Sequence, residues 1–330
     1  MIAIDAMGGD RAPGEIVAGA LRAAEECDVD ILLVGRPDAI SPHLPGGAPP
    51  ARVEILGASD VVGMHEDPAS AVRTRADASL VRAAEAVRDG RAVAMVGAGN
   101  TGATMAAALL RWGRIKGVHR PAIAIPVPVI GTDRLQLLVD AGATVDPDPE
   151  WLVEWAALAR AYARVRLGVD EPTVGLLSNG EEAGKGDALR KRAFDLLAQT
   201  KGFAGNVEGR DLMTPSVDVI VTDGFTGNVV LKALEGALMG LAGLVFGVVD
   251  EKGTPWEGAA TALKLRLLEA ASALVPDNTG GGMLLGVKGV CVISHGSSSA
   301  NAIVNAVRVA RDCVEAAVVA RLTEAVSGAG

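Results

Sequence analysis

The stretch AMVGAGNTGA, residues 94–103, decides the fold. An apolar run ends in glycines, the polar pair Asn100 and Thr101 follows, and an alanine-rich helical pattern begins. Strand, glycine-rich turn and helix in succession is the building unit of α/β folds. The start of a helix carries unpaired N–H groups and a partial positive charge, so it suits an anion. Gly97, Gly99 and Gly102 spell G-x-G-x-x-G, which raises the question of a dinucleotide. That fingerprint also requires an acid roughly 20 residues on to hold the ribose. No Asp or Glu lies between Gly102 and Thr132. Asn100 is therefore either a helix cap or, with Thr101, a ligand for an oxyanion.

Outward from this turn the same unit recurs. Apolar runs at 2–4, 31–35, 53–56, 92–96, 123–127, 135–139, 174–177, 217–222 and 290–293 predict strands. Several are unbroken Val/Ile/Leu runs, as expected of strands buried on both faces of a parallel sheet. Helical patterns fall between them at 14–26, 79–89, 103–112, 150–166 and 188–201. The expectation is a three-layer α/β/α, Rossmann-like fold with a mostly parallel sheet, in one domain over residues 1–330. From 228 to 275 two helical patterns follow each other without a strand, parted by Gly253, Thr254 and Pro255. This predicts a helical hairpin that protrudes from the sheet. Its uncharged run, residues 236–249, falls short of the ~18–20 residues of a spanning helix and suits a partner or membrane surface.

Composition bounds the chemistry. Of 330 residues 49% are hydrophobic and only 3% aromatic, so Ala, Val, Leu and Ile must build the core. A net charge of −9 argues against a bulk nucleic-acid surface. Cys27, Cys291 and Cys313 show no pairing motif, and His43, His65, His119 and His295 no metal spacing. The cysteines read as reduced, buried thiols of a cytoplasmic protein, and no metal is expected. The start, MIAIDAMGGD, lacks the basic and long apolar regions of a signal peptide.

Four more segments are polar where a strand ends. In LSNGEEAGKG, residues 177–186, the spacing is one residue short of a P-loop, and Gly186 replaces the magnesium-binding hydroxyl. Glu181 and Glu182 would repel a triphosphate. Lys185, near Asn179, can meet a single phosphate or polarise a carbonyl, or can be a surface lysine beside acids. In VTDGFTGNVVLK, residues 221–232, Asp223 follows a strand and Asn228 sits at the start of an apolar helix. Asp140 lies in VDAGATVD, residues 139–146, and His295 and Ser297 in ISHGSSSA, residues 293–300.

The ordered set DAMGGDRAP (5–13), GAGNTGA (97–103), NGEEAGKG (179–186), GNVEGRD (205–211), DGFTGNVVLKALEG (223–236) and SHGSSSANA (294–302) resembles the PlsX family. These are the acyl-ACP:phosphate acyltransferases of bacterial phospholipid synthesis. The resemblance implies a fold related to phosphotransacetylases and isopropylmalate dehydrogenase, and a homodimer. It implies transfer of a fatty acyl group from acyl carrier protein to inorganic phosphate without a cofactor. Lys185 and Asn228 match the family's catalytic lysine and asparagine. Asn100, Thr101, Asn179, Glu181, Glu182, Asp140, Asp223, His295 and Ser297 are the expected substrate and phosphate contacts. The hairpin occupies the place of the family's peripheral membrane contact, and a glycerol-3-phosphate acyltransferase is the expected downstream partner. Where the family reads D-x-G-A-N, this chain has Thr144, so the resemblance assigns no role there. Rival expectations are a phosphotransacetylase acting on acyl-CoA, an NAD-dependent dehydrogenase, and a non-catalytic carrier- or lipid-binding scaffold.

Overall fold

The computed structural model describes residues 1–250, 260, 263–264, 266–268 and 276–327. Among them eleven strands form one sheet: β1 (Ile2–Asp5), β2 (Ile31–Gly35), β3 (Val53–Gly57), β4 (Ala94–Gly97), β5 (Ala122–Pro128), β6 (Leu135–Val139), β7 (Val174–Leu177), β8 (Phe203–Val207), β9 (Val219–Val221), β10 (Gly282–Leu285) and β11 (Val290–Ile293). Their order across the sheet is β3-β2-β1-β4-β11-β10-β5-β6-β9-β7-β8. Neighbours are parallel except at β11/β10, β10/β5 and β5/β6. Those three reversals leave β4 and β11 running opposite to β6, β9 and β7, so the two groups send their following loops to opposite edges.

Helices α1 (Gly14–Glu26), α2 (Pro37–Ile40), α3 (Pro68–Thr74), α4 (Ser79–Arg88), α5 (Thr101–Trp112), α6 (Pro149–Arg166), α7 (Ala188–Leu197), α8 (Gly224–Val249), α9 (Ala300–Glu315) and α10 (Val318–Ser327) cover both faces. Alternation along the strands feeds the two layers. Ile2, Ile4, Ile31, Leu33 and Val96 pack with α1, α6, α9 and α10. Ala3, Leu32, Val34 and Met95 pack with α4 and α5 on the other face. The three-layer expectation holds, and all three cysteines are buried, free thiols.

Two strands escape the apolar-run reading. β8 carries Gly205 and Asn206, and β10 follows directly on Gly280 and Gly281 with only Met283, Leu284 and Leu285 to mark it. The long helix also begins earlier than expected, at Gly224, because the Asp223 side chain accepts from Thr226 N–H and caps it. Asn228 is thus not the cap but lies in the second turn. The second arm of the expected hairpin falls mostly outside the described residues.

Candidate active site

A cavity of about 430 Å³ opens between α5 and α8 over the face of β5. Glycine-rich turns build its polar side. The turns after β1, β4 and β11 converge, and they touch where Gly8 meets Gly99: a Cβ on Gly8 would sit 3.0 Å from the Gly99 backbone. Asp10, Gly99, Thr101, Ser294, His295 and Ser298 from these turns line the cavity.

From the opposite edge comes α8. Its first turn lies directly on the loop after β6. A Cβ on Gly227 would fall 1.8 Å from the Asp140 carbonyl oxygen, and one on Gly224 would fall 2.6 Å from the Asp140 carboxylate. This contact sets Asn228 beside Gly142, and both line the cavity. Asn228, Leu231, Lys232, Leu234, Glu235 and Leu238 then follow along one face of the helix and form a wall.

Asp140 is fully buried and works on the loop rather than on the cavity. Its carboxylate accepts from the N–H groups of Ile123 (2.9 Å), Gly142 (3.1 Å), Ala143 (2.9 Å) and Thr144 (2.7 Å). Burial pushes its pKa up to about 6, while those four donors pull downward. Thr144 spends its hydroxyl on the Pro121 carbonyl and its own carbonyl on Gly224 N–H. Asp223 meets Arg190, which also reaches Thr226. Burial alone would raise the Asp223 carboxyl, but the bonds from Thr226 and Arg190 outweigh it and hold it below the usual range.

At the head of the cavity Lys232 Nζ lies 2.9 Å from His295 Nε2 and 2.8 Å from the Glu235 carboxylate. An ammonium can only donate, so Nε2 accepts from Lys232, and the other ring nitrogen, Nδ1, lies 2.8 Å from Ser297 Oγ and 3.3 Å from Ser297 N. Lys232 and Glu235 were not picked out by the sequence reading. Their signal was available: with Asn228 they recur at i, i+4 and i+7, one helical face.

The remaining expected contacts divide. Asn100 caps α5 through Ala103 N–H and ties the carbonyls of Gly63, Met64 and Glu66. Its neighbour Thr101, not Asn100, lines the cavity. Lys185, Asn179, Glu181 and Glu182 lie on the loop after β7. Because β6, β9 and β7 are parallel neighbours, that loop leaves the same sheet edge as Asp140 and the start of α8. Arg190 links the two by bonding both the Leu177 carbonyl and Asp223. Lys185 itself is half exposed, 3.9 Å from Glu182, and does not line the cavity. Asn179 accepts from Gly186 N–H, and Glu181 pairs with Arg210. Among the described residues no cluster of His, Cys, Asp and Glu could hold a metal.

Comparisons with known proteins agree with this architecture. The family model described as "Fatty acid synthesis protein" matches residues 1–321. A phosphate acyltransferase of Desulfitobacterium hafniense (strain Y51) is 49% identical, over 95% of this chain and 93% of its own. One from Thermosynechococcus vestitus is 46% identical, over 95% and 92%. Among solved structures, a phosphotransacetylase from Streptococcus pyogenes superposes with TM-score 0.62 at 15% identity, covering 96% of this chain and 94% of its own. A branched-chain phosphotransacylase from Enterococcus faecalis does so with 0.59 at 16%, covering 95% and 99%. These last two speak for the fold alone. The motif set, the family match and the two close relatives together place the chain in the PlsX family of phosphate acyltransferases.

Proposed function

We propose that this protein moves a fatty acyl group from the thioester of acyl carrier protein to inorganic phosphate. The observation that carries the reading is one cavity with two characters. Asn228, Lys232, His295 and Thr101 line its polar part, and Ile123, Ile125, Val127, Leu231, Leu234 and Leu238 line its apolar part. The polar part suits phosphate and a thioester carbonyl, and the apolar part suits a hydrocarbon chain.

Phosphate is a poor nucleophile in water because it is strongly hydrated. Helix N-termini and a lysine ammonium replace that hydration and aim one oxygen at the carbonyl. A phosphate oxygen forms the new C–O bond, the C–S bond breaks, and sulfur leaves with the electron pair and takes up the proton released by phosphate. Asn228 donates to the developing oxyanion. Lys185, assigned from the family motif, holds the phosphate or the oxyanion; its loose pairing with Glu182 leaves the ammonium available to an incoming anion. Among the described residues that line the cavity none is a nucleophile paired with a base, and Ser297, 2.8 Å from His295 Nδ1, does not line it, so the proposed attack is direct.

Further proposals concern the surroundings. The protein works in the cytoplasm as a homodimer joined through the helical hairpin. The outer side of α8, with Met239, Leu241 and Leu244 exposed, rests on the inner face of the membrane. There the acyl phosphate passes to a glycerol-3-phosphate acyltransferase. A closer rival reading, an acyl-CoA phosphotransacetylase, shares the fold. Product formation with long-chain acyl-ACP and with acetyl-CoA, each with and without phosphate, tests the choice. Phosphate-dependent turnover confined to the long-chain carrier supports the proposal, and turnover confined to acetyl-CoA overturns it.

A further inference from the structure

We infer that Met213 sets the length of acyl chain the cavity accepts, and that Gln136 holds it in place; this rests on the acyltransferase reading above. The cavity's apolar wall has a direction. Asn228 and Leu238 both line it from α8, ten residues apart, which is about 15 Å along a helix axis. Leu231, Leu234 and Leu238 pack in one cluster with Val127 and the buried Met213. β5 fixes the end that Met213 occupies: near its start Ile123 N–H donates to Asp140, whose loop sets Gly142 beside Asn228, while just past its other end Ile130 N–H donates to the Met213 carbonyl, so Met213 lies at the far end of the apolar wall from Asn228. It is also the only residue of the 211–217 segment that lines the cavity.

Met213 is held as a fixed stop. Gln136, on β6, is buried, where an amide is costly unless its bonds are made. It spends them on this segment. Its Nε2 donates to the carbonyls of Asp211 (3.3 Å), Thr214 (3.3 Å) and Val217 (2.9 Å), and its Oε1 accepts from Met213 N–H (3.1 Å). The Met213 carbonyl in turn accepts from Ile130 N–H (3.0 Å). The Met213 backbone takes a left-handed conformation, φ 63°, that these bonds maintain. A chain growing along α8 thus ends against a side chain whose backbone cannot easily yield.

The test is kcat/KM over saturated acyl carriers from octanoyl to stearoyl. Met213→Ala should move the optimum to longer chains, with the longest gaining on the order of 10-fold relative to the wild-type optimum. Met213→Trp should move it to shorter ones. Gln136→Leu should flatten the profile, while a merely structural role would lower every rate alike. If Met213→Ala does not fold, Leu238→Ala widens the same end from the half-exposed helix. Profiles of unchanged shape in all variants overturn the inference. Binding of free saturated fatty acids of the same lengths, by displacement of a fluorescent fatty acid, separates it from the reaction. A shift in binding length without any acyl phosphate would keep the ruler and remove the acyltransferase reading.

Discussion

Replacing Gly227 by Ala tests how Asn228 is positioned. The added Cβ would lie 1.8 Å from the Asp140 carbonyl oxygen, and real Cβ contacts essentially never fall below 3.0 Å. The oxygen belongs to a loop fixed by four bonds to the Asp140 carboxylate. The start of α8 must therefore move away by more than an ångström, and Asn228 moves with it. Overpacking of this kind costs about 1–3 kcal/mol of stability. A misplacement of about 1 Å at a reacting centre costs on the order of 100-fold in rate. The assay is acyl-phosphate formation at saturating substrate, with a thermal melt on the same preparations. Gly243→Ala is the control: nothing lies within 4 Å of its added Cβ. It should keep wild-type rate and gain up to about 1 kcal/mol of helix stability. A Gly227→Ala enzyme with near-normal turnover and melting would refute the idea that this contact places Asn228.

Lys185→Ala should melt like wild type yet lose at least ~100-fold in acyl-phosphate formation; near-normal turnover would remove Lys185 from the chemistry. Changing Leu244 and Phe246 together to Asp should weaken sedimentation with anionic liposomes while leaving activity on soluble substrate intact; unchanged binding would leave α8 to the dimer alone. Asp140 ties stability to pH. Its folded pKa, about 6, stands above its ordinary 3.8, so its contribution is fully present below pH 3.8 and is lost as pH rises through 6. Asp140→Asn, measured by denaturant unfolding, should be the less stable protein at pH 4, since an amide nitrogen faces Thr144 N–H. Its deficit should shrink by up to roughly 3 kcal/mol by pH 8. A deficit that widens with pH would mean that the four N–H donors outweigh burial.

The layered fold was legible because its central strands are unbroken apolar runs and its turns carry glycine at the strand ends. β8 and β10 were not, since Asn206 and the neighbouring glycines interrupt the pattern, and only pairing with β7 and with β5 and β11 makes them strands. Site residues divided by the range of their contacts. Asn228 and His295 stood out within their own segments. Lys232 did not, because its partner His295 lies 63 residues away and the helix around it reads as merely apolar. Asn100 had two local readings, cap or ligand. Its cap bond to Ala103 N–H is local, but its tie to residues 63–66 is long-range and no pattern around residue 100 announces it. Gly227 is similar: its lack of a side chain matters only because the Asp140 carbonyl passes above it.

Direct attack by phosphate is best tested by one single-turnover experiment. Enzyme in excess is mixed with acyl-ACP without phosphate, and free thiol and intact protein mass are followed before and after phosphate is added. The expected result is neither thiol release nor a mass increase until phosphate arrives, then acyl phosphate and thiol in equal amounts. A phosphate-independent burst of thiol, matched by an acyl group on the protein, would contradict it.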